Sequence, residues 1–195
     1  MQCAGISAEI TLIRSSRRTL AAEIRPDGNV IVRAPRRLPE REIERFLQQR
    51  AADIEKNVQK QRCRAAKADA LPPFTEEELR ELAGRAAQYI PVRAAYYAQK
   101  LGVRYGRITI RNQKTRWGSC TEAGNLNFNC LLMLTPPEVL DSVVVHELCH
   151  LLHHDHSKAF YAEVYRVFPD YDRCDRWLKE QGSLLIRRMI TSRQK

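Results

Sequence analysis

The sequence predicts an α+β fold, with a small, mostly antiparallel sheet packed against a helix and an N-terminal β-hairpin and long helix before it. Three observations carry this. Short β-branched runs bounded by turn residues come first, long stretches of helical periodicity interrupt them, and further helices close the chain, which is not the regular alternation of a parallel sheet. The 195 residues are 44% apolar and 29% charged, enough to bury a core of ordinary domain size. No apolar run approaches the roughly 18 residues of a membrane span, and there are no internal repeats. One domain over 1–195 is expected, with a hairpin–helix part at 1–72 and a second part at 73–195, divided at Pro72-Pro73.

The elements follow in order. Ile6 to Ile13 alternates loosely, and Leu20-Ala-Ala-Glu-Ile24 runs into the turn signal Pro26-Asp27-Gly28-Asn29. Val30 to Ala34 follows, β-branched and ended by Pro35, so the pair reads as a hairpin. Ile43, Phe46, Leu47, Ile54 and Val58 recur at helical spacing and predict one long helix from about Glu40 to Lys67. After Pro72-Pro73, Thr75 and Glu78 form a capping-box signature for a helix that passes Pro91 and runs toward Leu101-Gly102. Arg107–Arg111 and Asn125–Leu131 read as strands, the latter with Leu126 and Phe128 on one face and Asn125, Asn127 and Asn129 on the other. Thr135-Pro136-Pro137-Glu138 opens the next helix, with Thr135 as N-cap and Pro136 at the first position. Two short helices are expected after it, opened by Ser157 and Asp172.

All five histidines lie between 146 and 156, in His146-Glu-Leu-Cys-His150-Leu-Leu-His153-His154-Asp155-His156. His146 and His150, four apart, share one helix face and can hold one ion. Glu147 lies one residue round, placed to take a proton from a water that the ion activates without being a ligand. This is the HExxH arithmetic of a zinc site. For a third ligand, helix periodicity favours His154, but it lies eight residues from His146, about 12 Å along the axis. Both cannot reach one ion at about 2 Å unless the helix breaks. His156, in the turn before Ser157, can fold back and is the expected ligand, leaving His153 and His154 as supporting or surface residues. The spacing matches the metzincin HExxHxxGxxH, but His153 stands at its glycine, so that family is not carried over.

Lys114-Thr-Arg-Trp-Gly-Ser-Cys120, Asn125 to Leu132, Pro136-Pro-Glu, Val144-Val-His-Glu-Leu-Cys-His150 and His156-Ser157-x-x-Phe160 resemble the YgjP-like metallopeptidase domain, a zincin-type group related to the SprT proteases. The likeness extends upstream through Arg17-Arg18, Pro26-Asp27-Gly28 and Val32–Pro35, covering about residues 14–185. It implies a zincin-like fold, a metal held at His146, His150 and His156, and Glu147 as catalytic base. It also leaves two chemistries open, because the group is associated both with peptidase activity and with metal-dependent hydrolysis of nucleoside triphosphates, notably UTP.

Residues 1–118 carry 24 Lys/Arg against 13 Asp/Glu, and residues 119–195 carry 9 against 10, so the whole excess of the +10 net charge precedes Ser119. The asymmetry suits a polyanionic partner, nucleic acid or nucleotide, or simply a solvated basic surface. Lys114 and Arg116 are candidate contacts for an anionic substrate group, and Trp117 either shapes the pocket or caps the core. Six cysteines without CxxC spacing, and an N-terminus without a signal pattern, point to reduced thiols and a cytoplasmic location. The leading expectation is a one-zinc hydrolase acting on peptide bonds. A nucleotide pyrophosphatase is the alternative, and a nucleic-acid-associated protein with a structural zinc is the third. Three histidines leave a coordination position open, unlike the closed four-ligand structural sites. Asn125–Leu131 is expected to run beside His146 and His150 as an edge strand for an extended substrate, with Asn129 toward it.

Overall fold

Ile10–Ser15 (β1), Ala21–Ile24 (β2) and Val30–Pro35 (β3) form a three-stranded sheet in the order β1-β3-β2. In the computed structural model, which describes residues 2–25 and 27–191, the chain divides into two units, Met1–Leu71 and Pro72–Lys195. In the first unit β2 and β3 are the expected antiparallel hairpin. Pro26 of its turn signal lies outside the described residues. At the remainder, Gly28 takes φ +85°, donates its N–H to the Arg25 carbonyl, and Asp27 Oδ1 accepts the Asn29 N–H. β1 pairs with β3 in parallel, so the hairpin gains a third strand and the sheet is mixed. The cause is the link from β1 to β2, which crosses a full strand width and leaves the centre for β3.

Glu40–Gln49 (α1) and Ala51–Asp69 (α2) replace the single helix expected over 40–67. The break falls at Arg50, whose φ of −113° departs from the helix after the polar run Gln48-Gln49, where the apolar stripe has no member. The stripe itself is buried as expected: Ile43, Leu47, Ile54 and Val58 pack with Val30, Val32 and Ala34 of β3.

The second unit opens on Glu76–Leu101 (α3). Thr75 Oγ1 accepts the Glu78 N–H at 3.1 Å, and the Thr75 N–H donates back to Glu78 Oε2 at 2.7 Å. The helix continues through Pro91 and stops at Gly102, φ +70°, where Val103 N–H reaches the Ala98 carbonyl. Ile108–Arg111 (β4), Gly118–Cys120 (β5) and Leu126–Asn129 (β6) form a second sheet in the order β4-β6-β5, again with one parallel and one antiparallel pair. One element is new and one sequence expectation changes here. Gly118–Cys120 is a strand that three residues without β-branched character do not announce. β6 is the central strand, not an edge, because β4 and β5 flank it.

A 3₁₀ turn, Cys130–Leu134, leads into Pro137–Cys149 (α4). The helix starts one residue later than expected, after Pro136, and no side chain caps it. Thr135 closes the preceding turn instead, donating its hydroxyl to the Leu132 carbonyl at 2.8 Å. Lys158–Val167 (α5) is capped as expected by Ser157, Tyr171–Trp177 (α6) carries Asp172 in its first turn, and Ser183–Thr191 (α7) follows a π-helical turn, Leu178–Gly182. Every residue of α4 from Val139 to Val145 is buried, against Ile90, Ala94 and Tyr97 of α3 and Leu126 and Phe128 of β6 among others. Asp141 is among them, answered by Arg93 Nε at 2.7 Å and Tyr97 Oη at 3.1 Å. The helix that carries His146 and Glu147 is therefore fixed on most of its circumference. Among the described residues no helix is long and apolar enough to cross a membrane, and the six cysteines form no disulfide.

Candidate metal centre

His146 lies in the last turn of α4, His150 caps its end, and His156 stands in the turn before α5. One imidazole nitrogen of each lies within 4.8 Å of the others. The ring centroids form a nearly equilateral triangle, 5.0, 5.0 and 4.8 Å on a side. Under it sits Phe160, fully buried, its ring 4.9, 4.7 and 5.0 Å from His146, His150 and His156. This one aromatic ring supports all three imidazoles.

The outward nitrogens of His146 and His150 are tied down. His150 Nδ1 is 3.2 Å from the His153 carbonyl, an acceptor only, so Nδ1 carries the proton and Nε2 keeps its lone pair. His146 Nδ1 is 2.8 Å from Tyr171 Oη, and its Nε2 lies 3.1 Å from His156 Nε2. Burial, and then the neighbouring His150 and His156, bring His146 down to about 4, and burial lowers His150 too. Three imidazoles with nitrogens this close together, two of them backed by hydrogen bonds on their far sides, fit a divalent cation such as zinc. His153 contributes its carbonyl and His154 is exposed outside the triangle.

Glu147, 6% exposed, lies one residue round the same turn and packs against β5. Burial raises its carboxyl to about 8, while the Arg116 charge and a hydrogen bond from the Cys120 backbone pull the other way. A Cβ on Gly118 would sit 2.6 Å from Glu147 Oε1 and 2.7 Å from its Cγ, so only glycine lets the strand pass this close.

The loop 112–117 brings Arg116 within electrostatic reach of Glu147, and Lys114 and Arg116 are exposed. Trp117 packs into the core, where a Cβ on Gly182 would meet its ring at 2.6 Å. Asn129 is not a substrate contact. It is fully buried, its Nδ2 donates to the Gln113 and Arg116 carbonyls at 2.8 and 3.0 Å, and its Oδ1 accepts from Leu131 N–H. Asn127 likewise ties strands together, accepting from Arg111 Nε and donating to Ser119 Oγ. Tyr171, Gly118 and the supporting role of Phe160 are additions from the structure. Gly118 and Phe160 lay inside quoted motifs, whereas Tyr171, 25 residues from its partner, carried no pattern.

The model of one family, described as YgjP-like, metallopeptidase domain, matches the chain over residues 18–88 and 72–181. The chain belongs to this family. As a YgjP-like protein it is a metal-dependent hydrolase. Two solved structures are similar to part of it. One is the crystal structure of the metallopeptidase zymogen abylysin from Pyrococcus abyssi, at 22% identity and TM-score 0.44, covering 48% of this chain and 95% of that one. The other is the metallopeptidase zymogen jannalysin from Methanocaldococcus jannaschii, at 19% identity and TM-score 0.44, covering 48% and 96%. Among curated proteins none matches the chain.

Proposed function

We propose that this YgjP-like chain is a one-zinc peptidase that binds its substrate as an extended strand along β5. The observation that carries this is the approach of β5 to Glu147 at Gly118, beside the three histidines. β5 pairs with β6 on one side only among the described residues, so the main-chain groups on its other edge that Glu147 does not engage are available for hydrogen bonds to a peptide. An open edge suits a polypeptide better than a compact anionic nucleotide, for which basic side chains would have to converge on the histidines. β5 takes the role expected of Asn125–Leu131.

Zinc held by His146, His150 and His156 would polarise a substrate carbonyl and make a neighbouring water more acidic. Glu147 takes the proton from the attacking water and passes it to the leaving amine. An affinity for protons raised by burial toward neutrality suits both transfers. The Cys120 backbone hydrogen bond orients the carboxylate, and the charge of Arg116 offsets part of the rise in proton affinity that burial causes. Tyr171 and the His153 carbonyl hold the ring orientations of His146 and His150.

The test is metal-loaded protein assayed against casein and a nucleoside triphosphate panel that includes UTP. Casein cleavage that falls about 10²–10⁴-fold in Glu147→Gln, with metal content unchanged, supports the proposal. UTP hydrolysis without casein cleavage overturns it. About one Zn²⁺ per chain is expected by elemental analysis after dialysis, reduced far more by His156→Ala than by His154→Ala.

A further inference from the structure

Beside the metal centre, and sharing His156 and Tyr171 with it, lies a cleft of about 580 Å³. Its volume falls within the range of side-chain and small-ligand pockets. Three tyrosines form its walls, Tyr161, Tyr165 and Tyr171, with centroids 6.1, 6.2 and 6.2 Å apart in the three pairs. Two carboxylates, Asp172 and Asp175, and one ammonium, Lys158, complete the polar lining. Tyr165 Oη donates to Asp172 Oδ1 at 2.7 Å, which aims one carboxylate at the ring cluster.

One of the chain's own cations, outside the cleft lining, already pairs with one of these carboxylates. Lys179 Nζ, on a side chain 72% exposed, is held by Asp175 Oδ2 at 2.5 Å, and the charges of Asp175 and Asp172 and the Tyr161 side chain all act on it. The pair shows that Asp175 is open to a cation at the rim of the cleft, and its exposure makes Lys179 displaceable. Aromatic faces and carboxylates together attract guanidinium and ammonium groups.

We infer that this cleft is a specificity pocket for a lysine or arginine side chain of the substrate peptide, with Lys179 occupying Asp175 until the substrate displaces it. Tyr171 joins the two sites, because its hydroxyl meets His146 Nδ1 while its ring lines the cleft. The inference rests on the peptidase proposal for the substrate class, but the cleft can be probed without turnover.

Binding of Nα-acetyl-arginine amide and Nα-acetyl-leucine amide to the protein, followed by NMR shifts or calorimetry, gives the first measure. The arginine amide is expected to bind about tenfold more tightly. Asp172→Asn/Asp175→Asn should erase that ratio and Lys179→Gln should raise it, which a merely structural role for either group does not produce. In peptide cleavage by the metal-loaded protein, kcat/KM should favour Lys or Arg beside the scissile bond over Leu by a similar factor. Equal binding of the two amides, or cleavage with no basic preference, overturns the pocket while leaving the peptidase proposal intact. Amide discrimination in a protein that cleaves no peptide supports the pocket and overturns the peptidase proposal. A Lys179→Gln variant that binds the arginine amide less well also overturns the pocket.

Discussion

Gly118 separates catalysis from metal binding at the scale of one methyl group. A Cβ there would meet Glu147 at three of its atoms, Oε1, Cγ and Cδ, within 2.9 Å, so the carboxylate has to move in Gly118→Ala. His146 and His150 project from other positions round the end of α4 and His156 from the turn before α5, so all three keep their positions. Gly118→Ala is therefore expected to lower kcat/KM about 10²-fold while leaving bound zinc unchanged, measured by peptide hydrolysis and elemental analysis in parallel. Tyr171→Phe has the opposite signature. It removes the hydroxyl that meets His146 Nδ1, and metal affinity should fall about tenfold in a competition titration with a chelator. The ligands and Glu147 were legible in the sequence because a four-residue spacing on a helix is a geometric statement. Gly118 and Tyr171 were not, since their roles depend on which strand and which helix pack beside α4.

Among the elements, the loop 112–117 is set in place by the end of β6. Asn129 donates to two of that loop's carbonyls and accepts the Leu131 N–H, all without exposure to water. Asn129→Ala would leave these buried groups unpaired, and a loss of about 3 kcal/mol is expected in urea unfolding. Arg116 rides on the same loop, so hydrolysis should suffer more than stability accounts for. Helix starts with a side-chain cap were legible, as at Thr75 and Ser157, because the cap and its helix are neighbours in sequence. The start of α4 shifted because the 3₁₀ turn before it engages Thr135. β5 was unreadable for a different reason, since three residues become a strand only through pairing with β6. The stop at Arg50 carries no proline or glycine, only a gap in the apolar stripe.

Over the whole molecule, two cores are built from different kinds of element, a β3–α1–α2 cluster in one unit and a helix-dominated cluster around α4 in the other. Within the second, Asp141 of α4 is answered by Arg93 and Tyr97 of α3. Burial first, and the Asp141 charge second, push Tyr97 up to about 12. The protonated phenol is favoured in the folded state, so this contribution is full below the ordinary tyrosine value near 10 and is lost as pH rises toward 12. Thermal midpoints measured from pH 9 to 12 should therefore fall more steeply in the native protein than in Tyr97→Phe, which has no phenol to ionise. The α+β class and the hairpin were legible from patterning alone. The strand orders were not, because hydrophobic patterns fix which face of a strand is buried and are silent about its neighbours.

Those orders, β1-β3-β2 and β4-β6-β5, have a consequence for how the protein is made. In each sheet the first two strands never bond to each other, and the strand both of them need emerges last from the ribosome. Each nascent sheet thus has no partial version: a chain stopped just short of β3 or β6 holds two strands and not one ladder between them. Ile10 waits 20 residues of synthesis for Val30, and Ile108 waits 18 for Leu126. When β6 arrives it bonds to β5 across a short turn and offers its other edge to β4, and only eight residues later does translation reach the first turn of the helix that carries the histidines.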